Sequence, residues 1–488
     1  MSSEQLSRVA ILTADRPQLL ERTLTSLRKQ ACGPVREVLV SDDSHHSLTR
    51  SQNRRICTSI SRDWDGTIYY IDRADRERWA ESLADACSVE IDITKFALLG
   101  PPGLKNTFGA NRNSCCLFFS GVPFVFADDD ILYDFRIHPE FRDDALEVSE
   151  FGDPTKIEPF ETRERAYHAL KEVSVDDVWS IAELLLGTPV SEIPALGRYR
   201  FAVGGSSKKF QQDISAGRAR IAAVMPGYVG DSGMGNAHYR LRPDALLSKR
   251  FISEGVYESV RLSRDVRRSS GILRVRAANS LLMMMCSFID NRFILPPFFP
   301  FSRNSDGLFS QLMSILGSEC IAYLPQMVLH DPPHRTDSQS SLTTWFEKTA
   351  SYQIVHAALL LISRDPGVRR RPDLFRFIGS RLREISSSDS MRAQIKEVLL
   401  EERKNTMLLF RQMLQRNSET ASQRWKADVE LVIDAARRGM ERPDILIPTD
   451  LKSLGEDGEI WNLLAQYGRL IEIWPQLRDA DNLVLRPN

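Results

Sequence analysis

Apolar residues in the first third of the chain fall into short runs separated by stretches of helical periodicity. Residues 8–13 form a brief apolar run that predicts a first strand. Ala14-Asp15-Arg16-Pro17 reads as a turn, with Pro17 placed for the first turn of a helix. Leu19, Leu20, Leu24 and Leu27 then recur at helical spacing, and Cys32-Gly33-Pro34 breaks the pattern. Residues 35–40 predict a second strand closed by Ser41-Asp42-Asp43-Ser44, and residues 68–71 a third. A helix opens at Gly109-Ala110-Asn111-Arg112-Asn113 and feeds a buried strand at 122–127, which ends in Asp128-Asp129-Asp130. Strand–helix–strand units with crossovers of this length give parallel strands and right-handed connections. Three polar loops, after residues 12, 40 and 127, should therefore face one edge of an α/β sheet, the edge where open sheets bind ligands.

The middle of the chain is less regular. Residues 140–187 are charged and read as mostly helical, through Val178, Ile181, Leu184 and Leu185. Residues 200–203 predict a strand followed by a hairpin turn at 204–209, and residues 220–225 another strand. Residues 226–235 carry four glycines and read as a loop that orders over a ligand, with Tyr228 and Asp231 within reach of it. Arg261, Arg264, Arg267 and Arg268 fall on one face of an expected helix. A last strand at 321–325 is followed by His330. Beyond residue 340 the pattern is helical, with stripes over 342–362, 374–385, 391–414, 420–440 and 460–477. These segments predict four units: 1–135, 136–260, 261–338 and a helical appendage, 339–488, for acceptor binding or self-association.

Composition narrows the class. The 488 residues exceed one core. A net charge of −1 gives no field favouring nucleic acid. Seven cysteines without a Cys-x-x-Cys pair read as reduced thiols. With no signal-like N-terminus and no long apolar run, a cytoplasmic protein without a transmembrane segment is expected.

The chemistry gathers at the acidic strand ends. Three adjacent carboxylates repel one another unless a cation neutralises them, and hard oxygen ligands suit Mg²⁺ or Mn²⁺ bridging to phosphate. A strand ending in Thr13, a second ending in Asp-Asp-x-Ser, a helix opened by Gly-x-x-Arg-Asn and a strand ending in Asp-x-Asp together resemble a family 2-type glycosyltransferase of the GT-A fold. That resemblance implies a Rossmann-like, mixed but mostly parallel sheet flanked by helices, here with an insertion and a C-terminal helical domain. It implies a nucleotide-diphosphosugar donor, with uracil as the expected base, a divalent cation, and an acceptor hydroxyl on a glycan, peptide, protein or lipid. Thr13 and Asp43 then meet the base. Asp15, Arg112, Asp128 and Asp129 lie on the donor side, and Asp128, Asp130 and His330 hold the ion. Asp306, in Ser305-Asp306, matches the family's catalytic carboxylate, although the usual form is Glu-Asp and the spacing demands an insertion. The same residues have plainer uses: Thr13 and Asp43 in turns and caps, Arg112 in a salt bridge, Asp306 as a helix cap and His330 in a turn. A nucleotidyltransferase on a similar sheet and a non-catalytic scaffold remain open beside the glycosyltransferase.

Overall fold

The computed structural model describes residues 6–30, 35–142, 144–196, 200–365, 367–368, 373–452 and 459–480; the expected break at Cys32-Gly33-Pro34 lies outside them. The first third follows the expected alternation: β1 (Arg8–Thr13), α1 (Pro17–Gln30), β2 (Glu37–Asp42), α2 (Ser47–Ser61), β3 (Thr67–Ile71), α3 (Arg73–Cys87), α4 (Ile91–Leu99), α5 (Phe108–Phe118) and β4 (Phe124–Asp128). Each strand here buries an apolar run, and Leu20, Leu24 and Leu27 seat α1 against the sheet.

The middle supplies β5 (Ile131–Ile137), β6 (Ala145–Ser149), β7 (Lys156–Pro159), α6 (Arg163–Tyr167), β8 (Lys171–Val173), α7 (Val175–Leu185), β9 (Arg200–Val203), α8 (Lys208–Ser215), β10 (Arg220–Asp231), α9 (Val256–Val260), β11 (Asp265–Ser269), β12 (Leu273–Ala277), β13 (Cys286–Ile289), α10 (Ser305–Leu316) and β14 (Glu319–His330). One sheet joins them in the order β3-β2-β1-β4-β13-β10-β14-β12-β6-β9, with β11, β7, β5 and β8 added at its flanks. Along that path six of the nine neighbouring pairs are parallel, so the chain is α/β with a mixed, mostly parallel central sheet flanked by helices.

Four expectations for this middle part are corrected. Residues 140–187 are not mainly helical: helices α6 and α7 cover about a third of them, and the short, charged strands β6, β7 and β8 lie among the rest. Residues 204–209 make no hairpin turn; Ser207 caps α8 by accepting the Phe210 N–H at 3.2 Å. The glycine-rich stretch 226–235 is strand as far as Asp231. Gly227 and Gly230 are there because a Cβ would meet the Arg268 carbonyl at 2.4 Å and the His330 carbonyl at 2.2 Å, and Gly230 adopts φ +113°. Arg261 to Arg268 form no exposed helix face: β11 begins at Asp265, and all four arginines are buried on distant carboxylates. Arg261 pairs with Asp428, Arg264 with Asp231 and Asp337, Arg267 with Glu158, and Arg268 with Asp153.

The C-terminal region is helical, as its stripes indicate: α11 (Ser340–Glu347), α12 (Ser351–Ser363), α13 (Leu374–Ser387), α14 (Asp389–Arg416), α15 (Gln423–Glu441) and α16 (Glu459–Ala480). The single stripe at 342–362 is two helices, α11 and α12. Helix α16 packs on α3 and α4. From it the Tyr467 hydroxyl donates to the Pro297 carbonyl at 3.0 Å, and the Trp474 indole N–H to Leu295 at 2.8 Å. The helical region thus pins residues 291–303, the approach to α10. No helix among the described residues is long and apolar enough to cross a membrane.

His238 sits half-buried where the core meets α11, its ring 5.9 Å from Trp345 and 5.0 Å from Phe346. Burial, then the Arg242 charge, hold its pKa down at about 4. A histidine that folds neutral below its ordinary 6.5 contributes stability that is present above 6.5 and lost as pH falls toward 4. Replacing it by Phe should keep the aromatic packing and remove that acid loss. Melting curves should show His238→Phe gaining on the native chain steadily from about pH 6.5 to about pH 4, by roughly 1.4 kcal/mol per pH unit. Parallel curves across that range would refute the assignment.

Candidate functional site

The C-terminal ends of β1, β2 and β4 meet as expected. β1 lies parallel to both neighbours, with Thr13 opposite Asp42 and Leu12 opposite Asp128. Asp43 donates its backbone N–H to the Thr13 carbonyl at 2.8 Å. The Thr13 hydroxyl donates to Asp129 Oδ2 at 2.6 Å, so one hydrogen bond ties the first strand end to the acidic triplet. Asp15 adopts φ 55°, a left-handed conformation that a short polar residue tolerates, and its N–H donates to Ser44 Oγ at 2.7 Å. Pro17 follows at once and starts α1, which aims Arg16 back across the edge.

Arg16 is the element that sequence reasoning missed. Its guanidinium bridges Asp129 at 2.5 Å and Asp130 at 2.9 Å. Burial works against this charge, but Asp129 and Asp130 outweigh it and raise the Arg16 pKa. The three carboxylates differ sharply. Burial, opposed by Arg16 and reinforced by Asp130, pushes Asp129 up to about 8. Asp130 resists burial: the His330 hydrogen bond and charge, with Arg16, bring it down to about 2. Asp128 is half-buried and its pKa is raised by burial, against the pull of Arg112. The triplet therefore carries its firmest negative charge on Asp130, and the Arg16 guanidinium between Asp129 and Asp130 relieves the repulsion between them.

His330 closes the edge from β14. Its Nδ1 donates to the Asp231 carbonyl at 2.6 Å, and its Nε2 lies 3.3 Å from Asp130 Oδ1. That orientation suits a metal-ligating imidazole, whose second nitrogen rests on an acceptor. Asp130 and His330 are thus the residues of this edge that would hold a divalent cation, His330 in its neutral form. Among the described residues no three His, Cys, Asp or Glu side chains converge on one point, and a guanidinium takes the remaining Asp130 oxygen.

Asp43 is committed within the protein. Oδ1 accepts from Arg73 at 2.6 Å and Arg76 at 2.5 Å, and Oδ2 from the Thr107 hydroxyl. Burial notwithstanding, Arg76 and Arg73 hold its pKa below the ordinary carboxylate range. Oδ2 keeps one lone pair for a further donor. Tyr228 and Asp231 face inward: the Tyr228 hydroxyl donates to the Ser232 carbonyl at 3.0 Å, and Asp231 is held by Arg264 and Arg335.

The Gly-x-x-Arg-Asn sequence positions the second half of the site. A Cβ at Gly109 would strike the Phe299 carbonyl at 1.8 Å, so only glycine lets α5 lie against residues 299–300. Asn113 clamps Phe298 from both sides, donating to its carbonyl at 3.1 Å and accepting its N–H at 2.7 Å. Arg112 donates to Ser305 Oγ at 2.8 Å, and its guanidinium also acts on Asp128. Through Arg112 the start of α10 is tied to the acidic edge. Asp306 lies in the first turn of that helix, half-buried, with Oδ1 accepting the Gly307 N–H at 3.0 Å. It is not the cap: Asn304, at φ 61°, holds that position. Arg303 and Arg335, beside Asp306 and after His330, were likewise unremarked in the sequence.

No protein-family model matches this chain, and no curated protein shows significant similarity to it.

Proposed function

We propose that this chain is a glycosyltransferase of the GT-A type, moving a sugar from a nucleotide-diphosphosugar, with UDP the expected nucleotide, to an acceptor hydroxyl. The observation that supports it most is the convergence of Thr13, Asp129, Asp130 and His330 on one sheet edge, with Arg112 linking that edge to Ser305 beside Asp306. Donor groups would lie along the ends of β1, β2 and β4. The base would stand toward Asp43, whose Oδ2 retains an acceptor position, and the phosphates toward Arg16. Asp306 would take the proton from the acceptor hydroxyl as its oxygen attacks the anomeric carbon. The bond from that carbon to the diphosphate breaks with its electron pair on the leaving oxygen, so a single displacement inverts the configuration.

Incubation with a panel of nucleoside-diphosphosugars tests this. Release of a nucleoside diphosphate, fastest with one base, is the expected result. Pyrophosphate released from a nucleoside triphosphate would identify a nucleotidyltransferase instead. No turnover and no thermal shift with any sugar nucleotide would point to a scaffold.

A further inference from the structure

Three partly exposed arginines, Arg16, Arg303 and Arg335, lie around the acidic edge. Arg16 bridges Asp129 and Asp130 while 41% of its side chain remains exposed. Arg335, 48% exposed, holds both oxygens of Asp231 at 3.1 and 3.2 Å, yet the buried Arg264 already takes the same two oxygens at 2.9 and 2.8 Å. Arg264 also pairs with Asp337, which Arg240 shares, so two carboxylates serve three guanidinium groups. Arg303 has no carboxylate partner among the described residues; its guanidinium lies 5.9 Å over the Phe108 ring and its stem 3.8 Å from where a Gly235 Cβ would stand. The short loop after Asp231 joins these groups: Arg335 holds Asp231, Gly235 lies against Arg303, and Gly233 lies against His330, beside the Asp130 that Arg16 holds. Burial, and then the charges of Arg335, Arg264 and Arg16, lower the Arg303 pKa.

Such a surplus of positive charge is costly in partly buried surroundings unless an anion joins it. Guanidinium groups suit one anion class best, because their paired N–H donors match phosphate oxygens. The acidic triplet would ordinarily repel a phosphate. Arg16 offsets that repulsion by pairing with Asp129 and Asp130 while part of its guanidinium side chain stays exposed.

We infer that this rim is a phosphate site, in which Arg16, Arg303 and Arg335 hold the phosphate groups of the ligand directly, without a bridging divalent cation. Only the ligand's identity, the diphosphate of a sugar nucleotide, rests on the proposed transfer reaction.

Calorimetric titration of inorganic pyrophosphate into the full chain, in EDTA, tests the site. One pyrophosphate should bind per chain. Arg303→Gln should weaken it about tenfold, the worth of one charge-assisted hydrogen bond, with no loss of melting temperature because Arg303 gives up no carboxylate. Arg335→Gln should do the same, since Arg264 still holds Asp231. Binding that appears only when Mn²⁺ is added, or that both substitutions leave unchanged, overturns the inference. The two readings separate cleanly. Pyrophosphate binding in EDTA with no preference for any nucleoside diphosphate would keep the phosphate site and count against glycosyl transfer. UDP binding that needs Mn²⁺ would do the reverse.

Discussion

Asp306→Asn should lower kcat about 10²- to 10⁴-fold, the usual contribution of a positioned general base, while leaving donor binding and folding nearly unchanged. The substitution isolates proton acceptance. Asn has the same shape, and its oxygen can still accept the Gly307 N–H that Asp306 accepts at 3.0 Å, but it cannot take a proton from the acceptor. Structural loss should be small. Asn304 occupies the cap position of α10, and Asp306 forms no ion pair among the described residues. What it adds to the helix is its charge near the dipole's positive end, about 0.3–1 kcal/mol. Release of nucleoside diphosphate, with water as acceptor if no better one is found, gives the rate; a melting curve gives the control. Activity within threefold of the native chain would place the base elsewhere. A large drop in melting temperature would mean that the residue serves the fold.

The sequence exposes the parts of this site that depend on local pattern. A buried apolar run ending in Asp128-Asp129-Asp130, or a strand ending at Thr13 before a turn and Pro17, is visible because strand, turn and helix start are set by neighbours in the chain. The C-terminal helices are visible for the same reason. What was hidden depends on partners far away in sequence. Arg267 and Arg268 enter a strand only because Glu158 and Asp153 lie beside it. Without those carboxylates a run of arginines belongs on a solvated helix, which is how it reads. Gly227 and Gly230 look like flexibility and are instead close contact between strands. Arg16 follows the same logic. It reads as part of a turn, and its role emerges only when β4 brings Asp129 and Asp130 to it. The acidic triplet announces a need for positive charge without saying whether an ion or a side chain meets it.

Asp428→Ala should cost about 3–5 kcal/mol of stability, the typical penalty for stripping a buried ion of its partner. Asp428 is fully buried on α15. It accepts from Arg261 Nε at 2.5 Å and Nη2 at 2.9 Å, and from the Tyr257 hydroxyl at 2.9 Å. Arg261 follows directly on α9, and its own remaining exposure is slight. The pair is therefore a charged pin between the helical region and the segment leading into β11. Removing the carboxylate leaves a guanidinium and a phenol without acceptors, in a place that water reaches poorly. Urea unfolding should show the loss, and adding Arg261→Met to Asp428→Ala should restore much of it, because the stranded charge disappears with its partner. A loss below about 1 kcal/mol in the single variant would mean that water or Glu258 takes over the Asp428 position, as at exposed ion pairs of that worth. The double variant matters more than the single one. If it recovers stability while the chain still turns over donor, the pin holds the helical region in place without shaping the acidic edge. If it recovers stability and loses turnover, the docking of the helices, through residues 291–303, sets the position of α10 and with it Asp306.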